Sequence, residues 1–245
     1  MKPTTKTTDA FTIIELLVVI AIIAILAGLL MPAVTIARRK AQVAVAKVDM
    51  KNLAVAISQY EQEYNRLPDP GNPPGDYNLG REWPALNPPT DITIGLGVNG
   101  ADAECRSIAR NSGLMLILVN EPKGSNYEYA KNPQRKKFFE PKQTTGTTES
   151  GLSISDYQYR DPWGNPYVIT LDLNYDGKCY DWVYKRPQLH LNPTNGFFGL
   201  QRENPNQGFY FSGQFMIWSV GPDGSYDVSK PANQDPNKDN VIGWQ

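Results

Sequence analysis

Histidine and cysteine are scarce in this sequence: His190 is the single histidine, and Cys105 and Cys179 are the two cysteines. These counts argue against a zinc-type site, which takes about four Cys or His ligands. The sequence contains no Ser/His/Asp arrangement and no phosphate-binding loop. We therefore predict that the protein is not an enzyme and has no catalytic residues, with paired carboxylates as the one catalytic arrangement left open.

An excess of charge of either sign is also missing. Lys and Arg number 24 and Asp and Glu 25, for a formal net charge of −1. No bulk attraction to nucleic acid follows from such a balance, and we expect no nucleic-acid partner. The basic cluster Arg135-Lys136-Lys137 is interpreted as a solvated loop. The 20 Pro and 20 Gly predict many turns, and the 13 Tyr and 5 Trp suit a β-rich domain.

Charge is absent altogether from Leu16 to Met31, inside the apolar stretch from Phe11 to Val34. As a helix this stretch is about 36 Å long, and the apolar core of a bilayer is about 30 Å thick. No small-residue cleavage site follows the stretch before Arg38, Arg39 and Lys40. We therefore expect a retained, single transmembrane helix rather than a secretory signal that is removed.

Glu15 is the one charged residue in this stretch. A charged side chain at the centre of a bilayer costs roughly 2.5–3.5 kcal/mol on insertion scales, so its presence calls for a functional reason. The alternative is a plain signal anchor in which Glu15 extends to the membrane interface.

The N-terminal motif is Ala10-Phe11-Thr12-Ile13-Ile14-Glu15-Leu16-Leu17, and it follows a leader, Met1–Ala10, that contains Lys2 and Lys6. Pro32 lies further along the apolar stretch. This arrangement resembles the class III signal of type IV pilins and type II secretion pseudopilins. In that family a short basic leader ends in Gly or Ala, the mature chain begins with Phe, its fifth residue is Glu, and a later proline kinks the helix.

The resemblance implies that prepilin peptidase cuts after Ala10 and methylates the new amine of Phe11. Glu15 of one subunit then faces the Phe11 amine of its neighbour, and the pair offsets the cost of burying each charge. Pro32 is implied as a third assembly residue.

The implied partners are further copies of the chain, minor pseudopilins, the peptidase and an inner-membrane assembly platform. The implied location is the bacterial inner membrane, with the head in the periplasm and the protein in a filament or at the cell surface. The count of Lys and Arg on the two sides of the span favours the opposite topology, and we give the processing motif precedence over it.

Beyond the membrane stretch, apolar residues recur at alternating steps of three and four, which predicts one face of a continuing helix. The opposite face is polar. Asn65 and Pro68 are expected to end the helix. We interpret the apolar face as packing on the protein's own sheet, with a coiled coil as the alternative. The face consists of Val43, Ala46, Met50, Leu53, Ile57, Tyr60 and Tyr64.

The predicted organisation is a leader at 1–10, a transmembrane segment at 11–34, an amphipathic continuation at 35–65 and a globular head at 66–245. The predicted fold class is α+β, with the long N-terminal helix packed on a small antiparallel β-sheet. Within the head we predict the following elements: a loop without strands at 67–100, a short helix at 106–120, a polar loop at 123–150, a hairpin of strands 167–171 and 180–184, and strands at 209–211 and 215–220.

A second resemblance lies in the head. The sequence contains Leu118-Val119 with Pro122, then Asp161-Pro162-Trp163-Gly164-Asn165-Pro166-Tyr167, and later Ser219-Val220-Gly221-Pro222-Asp223-Gly224. These motifs resemble the major pseudopilin of type II secretion. The first long motif predicts a rigid turn, because its prolines fix φ, Gly164 permits a tight bend and Trp163 can fill the core.

The resemblance further implies that the final loop, Gly221–Asn240, binds calcium. Its aspartates are Asp223, Asp227, Asp235 and Asp239, of which Asp223 and Asp239 fit the family positions best. Calcium takes six to eight oxygen ligands, which such a loop can supply. A solvated acidic turn is the alternative.

The segment Asp172-x-Asn174-x-Asp176-Gly177 matches the first half of an EF-hand loop. Val183 stands where the twelfth residue of such a loop is a glutamate. We interpret the segment as the hairpin turn, which Asn, Asp and Gly also favour.

Cys105 and Cys179 are a candidate disulfide, because an oxidising envelope permits one. Two separate thiols are the equal alternative, since sequence does not give their geometry.

Together these features predict a structural subunit of a pilus-like filament, of the type II secretion pseudopilin kind. The alternatives are a surface type IV pilin-like protein and a membrane-anchored envelope binding module.

Overall fold

The structure, a computed structural model, describes residues 13–71, 91–98, 100–101, 104–190 and 198–244. Internal contacts divide the chain into two units, Met1–Gln42 and Val43–Gln245. In the first unit the described residues are all helical. The second unit holds the remaining secondary structure and the buried core.

The first element is one long helix, α1, from Ile13 to Tyr64. Its end falls where the sequence predicts it: Asn65 has a φ of +50°, the left-handed conformation that commonly follows a helix and that asparagine tolerates. Pro68 comes three residues later. The predicted start at Phe11 lies outside the described residues.

The part of α1 in the second unit is amphipathic, as predicted. Six of its side chains are buried in the core, and Val43, Ala54 and Tyr64 pack against it. Burial of such a face, rather than helix propensity, supplies most of the stability of a helix in a folded protein. The buried side chains are Ala46, Met50, Leu53, Ala56, Ile57 and Tyr60.

A six-stranded sheet forms the centre of the head, in the order β11-β10-β7-β1-β3-β2. Its strands are β1 (Asp91–Ile94), β2 (Gly100–Ala101), β3 (Cys105–Ile108), β7 (Val168–Leu171), β10 (Phe215–Ser219) and β11 (Val241–Ile242). All its pairs are antiparallel except β1 with β3, which is parallel. The α+β class is therefore confirmed, with a mixed rather than purely antiparallel sheet.

Two small sheets complete the head. One consists of β4 (Gln143–Thr144), β5 (Gly151–Ser153) and β6 (Tyr159–Arg160), and the other of β8 (Lys178–Cys179) and β9 (Phe211–Ser212). A second helix, α2, spans Ser112–Leu118, and a 3₁₀ segment spans Gly124–Tyr129.

The central sheet is covered on both faces. Ile92, Ile169 and Ile217 belong to the apolar cluster that contains α1 and α2, whereas Val168 and Trp218 belong to a second cluster on the other face. Successive strand residues point to opposite faces, so strands between two clusters are buried throughout. This explains why β1 and β7 have no exposed side chain.

Three predictions about the head are corrected by this arrangement. The segment 67–100 contains β1, a central strand, although we predicted no strand there. The predicted helix at 106–120 is in fact the shorter α2, preceded by β3 over Cys105–Ile108. The polar segment 123–150 contains the 3₁₀ turn and β4. Flanking Gly, Pro and Asn obscure the strands, which are only two to four residues long.

The predicted hairpin is also wrong. β7 pairs with β1 and β10, and residues 180–184 form a turn instead of a strand. The buried carboxylate of Asp181 explains the turn. Its Oδ1 accepts hydrogen bonds from the amides of Val183 (2.9 Å) and Tyr184 (2.8 Å), and these are donors that a strand would give to a neighbouring strand. The strands predicted at 209–211 and 215–220 correspond to β9 and β10.

Candidate functional site

The N-terminal unit exposes an almost entirely apolar helix surface. From Ile13 to Ile36 the large side chains are about half exposed or more, up to 85% for Ile13. By length and composition the helix can cross a membrane. An apolar patch of this extent marks a membrane or protein contact, because soluble monomers rarely expose one.

Glu15 lies in the first turn of α1 and is exposed. The amino end of a helix carries a partial positive charge, which favours an acidic side chain there. Ala10 and Phe11 lie outside the described residues, so cleavage and methylation at these positions remain predictions.

Pro32 lies inside α1. It has no amide hydrogen to donate to the carbonyl of Gly28 one turn earlier. One turn later, the hydroxyl of Thr35 donates to the carbonyl of Met31 at 3.0 Å. The helix is continuous through this position, and the local loss of a hydrogen bond makes it the place where bending costs least.

Within the head, the outer part of α1 is held by hydroxyl groups as well as by apolar contacts. Tyr60 donates to the carbonyl of Lys131 at 2.6 Å, and Tyr64 donates to the side chain of Asn132 at 2.7 Å. Tyr167 donates to Asp49 at 3.0 Å. Burial raises the pKa of Asp49, and the hydrogen bond from Tyr167 opposes that shift.

One residue of the basic cluster 135–137, Lys136, contributes to this same contact. The ammonium group of Lys136 lies 2.6 Å from the carboxylate of Glu63 on α1. Arg135 lies over the ring of Tyr129, with 4.4 Å from its guanidinium carbon to the ring centre. The described geometry therefore places two of these cations against the protein itself.

The first turn motif, residues 161–167, is organised by one carboxylate. Asp161 Oδ1 accepts from the amides of Trp163 and Asn165, each at 2.9 Å, and the Gly164 amide donates to the Asp161 carbonyl at 3.0 Å. Trp163 packs against the main core, as predicted. Burial raises the pKa of Asp161, and the hydrogen bond from Ser219 opposes that shift.

The two turn motifs bind each other, which the sequence did not indicate. The Ser219 hydroxyl donates to Asp161 Oδ2 at 2.5 Å, and the side-chain amide of Asn165 donates to the Gly221 carbonyl at 2.9 Å. The Gly221 amide donates back to the Ser219 hydroxyl at 3.0 Å. Residues 161–167 and 219–224 therefore form one unit across the end of β10.

Gly164→Ala tests the tightness of this unit. Gly164 has a φ of +94°, and an added Cβ would lie 2.2 Å from the Thr148 carbonyl oxygen. Positive φ alone costs about 1–2 kcal/mol for a residue with a Cβ, and the overlap adds to it. We expect a loss of about 3 kcal/mol or more, measured as the free energy of unfolding.

Gly97→Ala is the matched control, because Gly97 has a φ of +75° with no atom within 4 Å of an added Cβ. It should lose about 1–2 kcal/mol, for the backbone alone. Equal losses in the two variants would contradict the close approach at Gly164.

Three aspartates of the final loop each have a different hydrogen-bond or ion-pair partner. Asp223 Oδ1 accepts from the Ser225 amide at 2.9 Å, Asp227 Oδ1 accepts from the Ser229 hydroxyl at 2.6 Å, and Asp235 pairs with Lys238 at 2.7 Å.

The main chain of this loop is held by Asn237. Its side chain accepts from the Asp227 amide and donates to the Asp227 carbonyl, each at 2.8 Å, and donates to the Lys230 carbonyl at 3.0 Å. Among the residues that the structure describes, no three His, Cys, Asp or Glu side chains are placed to hold a metal ion. Calcium bound by Asp223 and Asp239 stays a prediction.

Cys105 and Cys179 are both buried as thiols, and no bond joins them. Cys105 lies on β3 of the central sheet, with its sulfur 3.3 Å from the Thr93 hydroxyl, and Cys179 lies on β8 of another sheet. Burial raises the pKa of both thiols.

Comparison with known proteins gives one match. A model of the prokaryotic N-terminal methylation motif matches residues 6–31, which include the predicted cleavage site, Glu15 and most of the apolar stretch. No curated protein and no solved structure matches the chain. The chain thus carries the prepilin-type signal of type IV pilins and pseudopilins, followed by a long apolar helix. This signal indicates a substrate of prepilin peptidase.

Proposed function

We propose that this protein is a structural subunit of a pilus-like filament and, more specifically, a type II secretion pseudopilin. The methylation motif over residues 6–31 supports it most directly. Prepilin peptidase cuts after Ala10, the new amine of Phe11 is methylated, and the mature subunit joins the filament through α1. The exposed apolar surface of Ile13–Ile36 fits both states of such a subunit, since it can face lipid before assembly and neighbouring helices afterwards.

The charge pair gives the assembly its register. Glu15 stands two residues from the start of the described helix, and Phe11, which would carry the new amine, is four residues earlier in the sequence. A subunit that brings its amine to the Glu15 of a neighbour neutralises both charges in a low-dielectric environment. A copy displaced along the filament leaves both unpaired, so one axial position is favoured.

The choice of a secretion pseudopilin over a surface pilin depends on the head. The two motifs that resemble those of the major pseudopilin, 161–167 and 219–224, are joined by the hydrogen bond from Ser219 to Asp161. A head shared with that pseudopilin would bring the two motifs together in this way, which supports the proposal. We place the protein in the bacterial inner membrane, with its head in the periplasm. Its partners are then its own copies, minor pseudopilins and the assembly platform.

The mature N-terminus tests the processing step. We expect mass spectrometry of the purified protein to give a chain that begins at Phe11 and carries one added methyl group, about 14 Da. The host must express a matching prepilin peptidase, and a host without it should give the chain from Met1. Ala10→Gly is a control that keeps a small residue at the cut and should be processed fully. A Met1 start, or a cut after the apolar stretch, in the peptidase-bearing host would overturn the proposal.

A further inference from the structure

A cavity of about 320 Å³ lies where the end of α1 meets the central sheet. Its wall comes from Tyr60 of α1, residues 66–69 directly after the helix, Arg106 on β3, Lys131, and residues 173–175 after β7. Small-ligand sites in proteins have volumes of about 300–1,000 Å³ and often form where separate elements meet. The cavity is therefore large enough to hold a small ligand or one end of a larger one.

Positive charge predominates in the lining of this cavity. Its cations are Arg66, Arg106 and Lys131, and Asp69 is the one carboxylate that lines it among the described residues. The ammonium group of Lys131 lies 3.5 Å from Asp69 Oδ2, and Asp69 Oδ1 accepts from the Gly71 amide at 2.8 Å. These contacts compensate the charge of Asp69, so the two guanidinium groups determine the sign of the cavity.

Arg106 faces the cavity because of its place on β3. It stands opposite Ile92 of β1, and Ile92 belongs to the apolar cluster that contains α1. Residues in register on neighbouring strands project to the same face of a sheet, so the Arg106 side chain lies on the α1 face. Its Nε atom is buried and has no hydrogen-bond partner among the residues that the structure describes. A buried donor without an acceptor is costly, and an anionic ligand would supply the acceptor.

The rim of the cavity presents further donors. Arg66 is exposed and comes two residues after the end of α1. Burial raises the pKa of Tyr60, and the positive charge of Arg66 opposes that shift, so the guanidinium group lies near the Tyr60 hydroxyl. The Tyr175 hydroxyl accepts from the Leu67 amide at 2.7 Å, and its own hydrogen can still donate to a ligand. Donors on several elements thus converge on one space.

We propose that this cavity binds a carboxylate attached to an apolar group, either at the end of a peptide or on an acidic side chain beside an apolar one. The planar fork of a guanidinium group matches the two oxygens of a carboxylate, and Arg66 and Arg106 supply two forks. Leu67, Leu173 and the ring of Tyr175 line the remaining space, and a phosphate ion alone would leave this apolar lining without a contact. The site is a property of the head, and it goes beyond the proposed filament role without depending on it.

Binding of N-acetyl-phenylalanine to the full-length protein in an uncharged detergent tests the site. We expect isothermal titration calorimetry at about pH 7.5 and low salt to give a dissociation constant of about 1 mM, as for other ligands of this size. N-acetyl-phenylalanine amide is the matched neutral ligand and should bind at least about ten times more weakly, because it lacks the charge. At about 1 M salt, where the screening length is about 3 Å, only the acid should lose affinity.

Matched variants locate the binding. Arg106→Gln and Arg66→Gln should each weaken binding of the acid at least about ten-fold. Arg106→Lys keeps the charge but not the fork, so it should retain part of the affinity. Arg110→Gln changes an exposed arginine outside the lining and should bind as the wild type does. Arg66 is exposed, so Arg66→Gln tests the proposal even if Arg106→Gln does not fold.

Equal binding of the acid and the amide would overturn the proposal, as would no binding up to about 10 mM acid. So would wild-type affinity in the folded variants at Arg66 and Arg106, or inorganic phosphate binding as tightly as the acid. Two peptides distinguish the sources of the carboxylate, one with a free phenylalanine end and one with an amidated end and a glutamate side chain. Tighter binding than the neutral amide by either peptide supports the proposal, and the tighter of the two identifies the source. Neither result bears on processing at Ala10.

Discussion

Glu15→Val is expected to insert into the membrane normally and to lose filament assembly. Valine extends the apolar surface of α1, so insertion becomes more favourable rather than less. The amine of Phe11 on the neighbouring subunit, in contrast, is left in lipid without its partner. An unpaired charge there costs roughly 2.5–3.5 kcal/mol, which corresponds to a loss of about 100-fold in the association constant at each contact.

Two fractions prepared from the same cells measure insertion and assembly separately. The membrane fraction should contain Glu15→Val at the wild-type level after alkaline washing, whereas the sheared or cross-linked filament fraction should contain at least about ten times less than the wild type. Glu15→Asp is the matched control, because it keeps the charge on a shorter side chain and should assemble in part. Normal filaments from Glu15→Val would show that the charge pair does not drive assembly. Poor insertion would show that Glu15 serves the membrane step.

Elements with strong periodicity were predictable from the sequence, and α1 is the clearest. The steps of three and four from Val43 to Tyr64 identified the buried face, and Asn65 identified the end. This works because one face of a helix meets the core and the other meets water, so the pattern of residue types follows the geometry.

The central strands were not predictable in the same way. β1 is Asp91–Ile94, four residues that are buried on both faces. None of its side chains faces water, so the strand lacks the exposed polar face that would have distinguished it from a loop. Its place beside β7 depends on contacts between residues about 80 positions apart in the chain. Local turn preference also misled the prediction at Asp172–Gly177: the segment turns, but Asp181 diverts the chain before it can return along β7.

The residues and contacts of the candidate site likewise differ in whether the sequence predicts them. Glu15, Pro32 and the cleavage position follow from the N-terminal motif and the apolar stretch after it. The bond between Asp161 and Ser219 joins two motifs that were recognised separately. Single residues on distant strands carry no pattern in the sequence, and only the fold brings them together.

Asp161→Ala is expected to cause the largest loss of stability of any single change in the head that we propose. The variant removes the acceptor for the amides of Trp163 and Asn165 and for the hydroxyl of Ser219, in a half-buried turn whose carboxylate is buried. A buried donor that loses its partner costs about 1–3 kcal/mol. Three such donors, with some relief by water, give an expected loss of about 4 kcal/mol.

For a head of this size the loss corresponds to a fall of about 8–16 °C in melting temperature, at about 2–4 °C per kcal/mol. Trp163 fluorescence reports the same unfolding, because its ring packs against the main core. Ser219→Ala removes one of the three donors and also the acceptor of the Gly221 amide, so it should lose about 1–3 kcal/mol. Asp223→Ala changes an exposed aspartate of the second motif and should stay within about 0.5 kcal/mol of the wild type.

The test compares the losses of stability in these three variants. If Asp161 organises both motifs, then Asp161→Ala must be more destabilising than Ser219→Ala, because it also leaves the amides of its own turn without an acceptor. Similar losses in Asp161→Ala and Ser219→Ala would mean that only the bond between the motifs matters. A loss in Asp161→Ala no larger than in Asp223→Ala would mean that the turn holds its shape through Pro162, Gly164 and Pro166 alone. The first order follows because Asp161→Ala leaves the half-buried amides of Trp163 and Asn165 without an acceptor, in addition to the Ser219 hydroxyl.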